Sequence, residues 1–255
     1  MAAPRTEARQ SPCPQAEGVS PGETGTTGPV QVTSEVTSGS LKETKRVRSI
    51  WDKKASGYDK EMAFFERLLF PGARQWACSQ AEGKVLEIAV GTGRNLPYYP
   101  DGVDLTGIEY APLMLGLAKE SAEELGVKAD LRLGDAQALD LPDNAFDTVV
   151  CTVSLCSIPD DRAAVREVAR VLRPGGRLIL MEHVASPNPV VRAVQWLLNV
   201  ITTRIEGDHL CREPLNHLRA VGLQVEFLER SKWGIVERVT ARKPPALQQE
   251  PPHRA

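Results

Sequence analysis

No stretch of this sequence approaches the ~18 to 20 consecutive apolar residues that cross a membrane, so a membrane-spanning chain is not expected. Charge of neither sign dominates: 31 Lys and Arg stand against 33 Asp and Glu, a net charge of −2. Nucleic-acid phosphates demand a basic surface, so no DNA or RNA partner is expected. Cysteine is scarce and unpatterned. Cys13, Cys78, Cys151, Cys156 and Cys211 are odd in number, and no pair has CxxC spacing. That argues against a disulfide framework and against a zinc or other metal site, and it suits a reducing cytoplasm. No internal repeat is found. What remains is ordinary globular usage, 42% apolar and 25% charged, in 255 residues, enough for one large α/β domain with a real core.

Residues 1–41 hold five of the 19 prolines, five of the 20 glycines and no aromatic residue. Such a segment buries too little to offset its ordering entropy, and a disordered tail is expected there. It lacks the apolar stretch of a secretory signal, and Glu7, Glu17 and Glu23 argue against a mitochondrial presequence. A second disordered tail is expected over 244–255. The folded part is then 42–243, opening with N-terminal helices over 42–80. Beyond them strands and helices alternate. KVLEIAV (84–90), VDLTGIE (103–109), ADLRLGD (129–135), FDTVVCTV (146–153) and RLILMEH (177–183) read as strands. Helices are expected over Met114–Leu125 and after the N-cap Asp160. Repeated β-α-β order predicts a Rossmann-like, doubly wound, mostly parallel sheet. The last two strands, 223–230 and 235–243, lie too close for a helical crossover, so the end of the sheet should be antiparallel.

Open α/β sheets bind ligands at the carboxyl ends of their strands. Past the first strand come Gly91 and Gly93, which let backbone approach a ligand closely. Past the second comes Glu109, a carboxylate able to accept both hydroxyls of a ribose. Past the third come Asp135 and Ala136, placed for an adenine-like base. Together they describe a pocket for an adenosine-containing ligand. Leu96 stands where a dinucleotide fingerprint needs its third glycine, and no Walker G-K-[ST] is present.

The segments EIAVGTG, Glu109, GDA, FDTVVCTVSLCSIPD and REVARVLRPGGRLILMEH resemble class I S-adenosylmethionine-dependent methyltransferases, most in style the UbiE/COQ5 (methyltransferase 11) type. The CTVSLCS and MEHV stretches are also similar to phospholipid N-methyltransferases and thiol S-methyltransferases. The resemblance spans about 46–243. It implies S-adenosylmethionine as cofactor, with Glu87 near its amino-acid end, Gly91 and Gly93 under its backbone, Glu109 on the ribose, and Asp135 with Ala136 by the adenine. It also implies that Tyr58, in the pair Tyr58-Asp59, folds over the cofactor. One departure stands out: Ala89 replaces the first glycine of the family loop, and a slightly remodelled loop with negative φ at Ala89 is expected.

The resemblance implies methyl transfer to a small acceptor, and an apolar one is expected: a thiol, quinol or lipid amine. Cys151, Ser154, Cys156, Glu182 and His183 fall near the expected mouth. His183, following the strand RLILME, is the candidate catalytic proton carrier at the rim. Arg94 is a candidate for the cofactor's carboxylate. Val190, Val194, Leu197, Ile201 and Ile205 share one face of a helix in the segment 190–212, opposite Arg192, Gln195, Asn199 and Thr202, with Trp196 between. Either this segment is a lid whose apolar face packs over the sheet edge, or 190–205 also touches lipid or an apolar substrate. Two other classes stay open: a nicotinamide-dependent oxidoreductase, and a cofactor-binding regulatory protein without catalysis.

Overall fold

Seven strands form one sheet in the order β3-β2-β1-β4-β5-β7-β6. A computed structural model of the chain describes residues 38–246, so of the tails expected over 1–41 and 244–255, residues 1–37 and 247–255 lie outside the described residues. The strands are β1 (Lys84–Ile88), β2 (Asp104–Glu109), β3 (Ala129–Leu133), β4 (Phe146–Thr152), β5 (Leu172–His183), β6 (Gln224–Ser231) and β7 (Val236–Arg242). The first five are parallel, and β7 joins β5 antiparallel, with β6 antiparallel to β7 at the edge. The helices are α1 (Ser38–Leu69), α2 (Ala73–Cys78), α3 (Pro112–Leu125), α4 (Asp161–Val171), α5 (Pro189–Ile205) and α6 (Pro214–Ala220). The mixed, mostly parallel sheet with an antiparallel end is the expected Rossmann-like architecture.

Strand alternation builds two cores. Leu86, Ile88, Val149, Cys151, Leu178 and Leu180 point into one, with Val165 and Val168 of α4. Val85, Val150 and Ile179 point to the other, with Leu115 and Ala118 of α3. Successive side chains of a strand face opposite ways, so runs apolar at every position belong to strands covered on both faces. Asp160 caps α4 as expected, accepting from the Ala163 N–H at 2.9 Å. β5 begins earlier than position 177, because Leu172 already pairs with Phe146 and a register shift absorbs the RPGG turn. Gly176 is required there: a Cβ would lie 2.9 Å from the Arg173 carbonyl oxygen. At the other end of the chain, α1 is one continuous helix that starts at Ser38, inside the stretch expected to be tail.

The helix α5 corrects the expectation that its apolar face packs on the sheet. Val190, Val194, Leu197, Ile201 and Ile205 are 53% to 72% exposed, and the buried residue of α5 is Gln195. The polar face points inward because it has partners there. Gln195 accepts from the Ser186 N–H at 2.8 Å and donates to the Val184 carbonyl at 2.9 Å, and Asn199 accepts from the Leu210 N–H. Arg46 of α1 donates to the Thr203 and Arg204 carbonyls, satisfying the C-terminal end of α5.

Candidate functional site

A cavity of about 850 Å³, open to solvent, lies at the carboxyl ends of β1, β2, β3 and β4. The strand order reverses between β1 and β4, which is where an open α/β sheet leaves a crevice. Its walls are the loop after β1 (Ala89, Val90, Gly91, Thr92, Arg94), the ends of β2 and β3, the 152–159 segment, and one face of α1 with Arg74 of α2.

Backbone strain gathers on its walls. Ala89 has φ +54° and Val153 has φ +49°, both in the left-handed region. Left-handed backbone is rare for a β-branched residue, and such outliers cluster at ligand sites. Ala89 therefore does not escape to negative φ as expected; it adopts the conformation a glycine would take. Ala89→Gly should relieve about 1 kcal/mol of that strain and lose part of the gain to a freer unfolded chain. The expected net is ~0.5 kcal/mol of stabilisation, checked by thermal melting; a destabilised variant would contradict it. Gly91, at φ +62°, lines the cavity. Gly93, at φ +86°, is not among the lining residues. It packs against α3, where a Cβ would sit 3.2 Å from the Ala118 Cα.

Glu109 is buried at the end of β2. Its Oε1 accepts from the Tyr110 and Ala111 N–H groups and its Oε2 from the Gly91 N–H, all at 2.8 Å. Burial raises its pKa, and the three N–H groups oppose that. A carboxylate has about four acceptor positions. Three are taken by backbone, so Oε2 keeps room for one further donor, where two ribose hydroxyls had been expected. Asp135 and Ala136 line the cavity beside Gln137. Asp135 Oδ1 accepts from the Gln137 N–H and from Gln137 Nε2, both at 2.9 Å.

Glu87 is fully buried, and it is not among the residues that line the cavity. Its Oε1 accepts from Asn95 Nδ2 at 2.8 Å and its Oε2 from the Tyr99 hydroxyl at 2.7 Å, so it anchors the loop after β1. Arg94 is likewise engaged: it clasps the Glu66 carboxylate, with Nη2 to Oε2 at 2.6 Å. Tyr58 does line the cavity, edge-on to Trp51 with ring centroids 5.8 Å apart. Burial pushes its phenol up to about 12, so it stays neutral. The adjacent Asp59 accepts from the Thr92 hydroxyl at 2.6 Å, tying α1 to the glycine loop.

His183 does not reach this cavity. It ends β5 close to Cys156 and Asp208, and burial, then Arg212, lowers its pKa to about 4. A rim position had been expected. Cys151 and Cys156 are buried thiols raised well above their usual range by burial. Glu182, raised to about 7 by burial, accepts the Ser154 and Leu155 N–H groups through Oε1 and holds the segment that carries Ser154 into the cavity.

A family model described as a methyltransferase domain matches residues 86–180. The uncharacterized methyltransferase YcgJ of Bacillus subtilis is 30% identical over 189 residues, 72% of this chain and 74% of that protein. The chain belongs to the methyltransferase family. A phosphatidylethanolamine N-methyltransferase of Cereibacter sphaeroides is 42% identical over 118 residues, 46% of this methyltransferase. The chain spans 58% of that relative's length, less than two thirds of it. A solved SAM-dependent methyltransferase of Methanosarcina mazei shares the fold, with a TM-score of 0.55 at 24% identity, over 70% of this chain and 99% of that one.

Three polar residues of the methyltransferase cavity carried no motif. Arg74 reaches in from α2, donating to Asn95 Oδ1 at 2.9 Å and Thr152 Oγ1 at 3.0 Å, and is fixed by Glu66 at 2.6 Å. Gln137 holds Asp135, and Arg48 of α1 lies over the Tyr110 ring at 5.3 Å. Nothing in their local sequence marks them.

Proposed function

We propose that this methyltransferase binds S-adenosylmethionine in the cavity and methylates a small apolar acceptor: a thiol, a quinol or a lipid amine. The carrying observation is the conjunction, on consecutive strand ends around one cavity, of the glycine turn, Glu109 and Asp135 with Ala136. The residues present fit the cofactor. Glu109 Oε2 has a position for one ribose hydroxyl, Asp135 and Gln137 offer polar contacts to an adenine, and Arg74 with Thr152 offers a polar end near the cofactor's amino acid. Gly91 leaves the space a Cβ would take, with Tyr58 facing it at 4.0 Å from that position.

When bound, the cofactor supplies a methyl group already activated by its sulfonium, so no nucleophilic side chain is required. The chain's own work is to orient the acceptor and to keep water out. Val153, Ile158 and Pro159 give an apolar wall next to Ser154 and Ser157. Trp51 and Tyr58 of α1 cover the glycine side. His183 has no part in this reading.

The outward apolar face of α5, with Trp196 also exposed, supports contact with a lipid surface. No described helix is long and apolar enough to cross a membrane. The same reading makes 190–212 a lid segment and the protein cytoplasmic, in keeping with the free thiols of Cys78, Cys151, Cys156 and Cys211.

The test pairs calorimetry with S-adenosylmethionine and S-adenosylhomocysteine release on matched apolar and polar acceptors. The apolar member should have the higher kcat/KM. Leu197→Asp should lower kcat/KM on a vesicle-embedded amine or quinol by about tenfold or more, the equivalent of one buried leucine. Cofactor affinity should not change. A preference for the polar acceptor, undisturbed by Leu197→Asp, would sink the reading; binding without turnover on any acceptor would favour a regulatory role.

A further inference from the structure

Behind the 152–159 wall, three chain segments bring together a thiol, an imidazole and a carboxylate. Cys156 follows β4, His183 ends β5, and Asp208 follows α5; their ligand atoms all lie within 4.8 Å of one another. The backbone holds them in place. The His209 N–H donates to the Cys156 carbonyl at 3.0 Å, and Thr202 and Thr203 hydroxyls donate to the Asp208 carbonyl. Cys156 and Asp208 already share a side-chain hydrogen bond, but the carboxylate is not fully satisfied. Asp208 Oδ1 is buried with no hydrogen-bond partner among the described residues, and so is Oε2 of the neighbouring Glu182, which is 1% exposed. The cations near Asp208 are engaged elsewhere: Lys54 pairs with Glu206 at 2.8 Å, and Arg212 donates to the Leu155, Ile158 and Pro159 carbonyls and lies 3.7 Å from Asp161. Orphaned buried oxygens are costly, so a buried carboxylate left part-satisfied beside a thiol and an imidazole is short of a positive charge.

We propose that Cys156, His183 and Asp208 form a binding site for one divalent transition metal ion of the zinc class. Sulfur, imidazole nitrogen and carboxylate oxygen are the ligand set that zinc takes in a tetrahedral site, and a set with one oxygen does not suit magnesium or calcium. Three protein ligands leave the fourth position to water. Binding exchanges the thiol proton for the metal, and that proton passes to solvent. The ion would clip the segment after α5 to the ends of β4 and β5, steadying the base of the proposed lid. The site is independent of the cofactor reading and of turnover.

The test uses the full chain, stripped with a chelator and titrated with cobalt(II). One equivalent should produce a thiolate-to-cobalt charge-transfer band with the visible bands of a tetrahedral ion, zinc should abolish them, and zinc should raise the melting temperature. Cys156→Ser should remove the charge-transfer band. Asp208→Asn and His183→Gln should weaken binding by more than the about 10–100-fold that loss of an outer-shell partner costs. Cys13→Ser and Cys211→Ser should bind as the wild type does. No band in the wild type, or a band that survives Cys156→Ser, overturns the site. So does full affinity in Asp208→Asn or His183→Gln. If Cys156→Ser does not fold, the wild-type spectrum and the other two variants decide.

Discussion

Replacing Glu109 with alanine is expected to lower both the stability and the cofactor affinity of this methyltransferase. The carboxylate is the acceptor for the Gly91, Tyr110 and Ala111 N–H groups. Two of these open α3, whose N-cap residue Ala111 has no capping side chain, and the third fixes the glycine turn. Hydrogen bonds to a charged group contribute about 1.5–3 kcal/mol each, and water entering from the cavity would restore part of the loss. A net destabilisation of about 3 kcal/mol follows, or roughly 6–12 °C in Tm for a domain of this size. Loss of the proposed ribose contact should separately raise the Kd for S-adenosylmethionine by about 10–100-fold. Asp135→Ala is the comparison. Among the described residues its carboxylate is tied to Gln137, so it should weaken binding with little change in Tm. Glu109→Ala with wild-type Tm would show that the three N–H bonds contribute nothing. Glu109→Ala with wild-type affinity would take Glu109 out of the cofactor site.

The central strands β1, β4 and β5 were legible because their apolar runs are buried on both faces, which a parallel sheet writes plainly, whereas the edge strands β3 and β6 are largely exposed. The glycine turn, Glu109 and Asp135 followed from the rule that ligands sit at strand ends, and all but Gly93 line the cavity. What was hidden depends on chain segments meeting in space. Arg74 sits on a six-residue helix with no motif, and its place is set by Glu66, Asn95 and Thr152 from three other segments. Glu87 was expected near the cofactor's amino-acid end, and a strand-end carboxylate looks the same in sequence whether it lines the cavity or, as here, holds Asn95 and Tyr99 beside it. His183 was misplaced for a related reason. Strand position gives the end of the sheet but not which neighbours close over it, and β7 and the segment after α5 do so. In α5 the periodicity was correct and the direction reversed. An apolar stripe normally marks the core, yet Gln195 and Asn199 find backbone partners inside and leave the stripe outside.

Glu87 should make stability fall as pH rises. Burial lifts its carboxyl to about 7, against 4.5 for an ordinary glutamate, while the Tyr99 and Asn95 hydrogen bonds and Arg74 pull the other way. Below 4.5 both the folded and the unfolded chain hold the proton, and the contribution of this group is fully present. Between there and 7 the unfolded chain ionises while the folded chain does not, so stability declines with pH; above 7 the loss is complete. The span corresponds to about 3 kcal/mol at 1.36 kcal/mol per pKa unit. Glu87→Gln removes the charge and keeps the shape. The amide oxygen can accept from Asn95, and the amide nitrogen can donate to the Tyr99 oxygen. Other raised carboxyls, Glu182 and Asp208 among them, are common to both proteins and cancel in the difference. The variant and the wild type should therefore melt together near pH 4 to 5, and the variant should melt higher by roughly 6–12 °C near pH 8. A gap in Tm that does not change with pH would mean that Glu87 ionises in the fold as it does in water, its hydrogen bonds offsetting its burial.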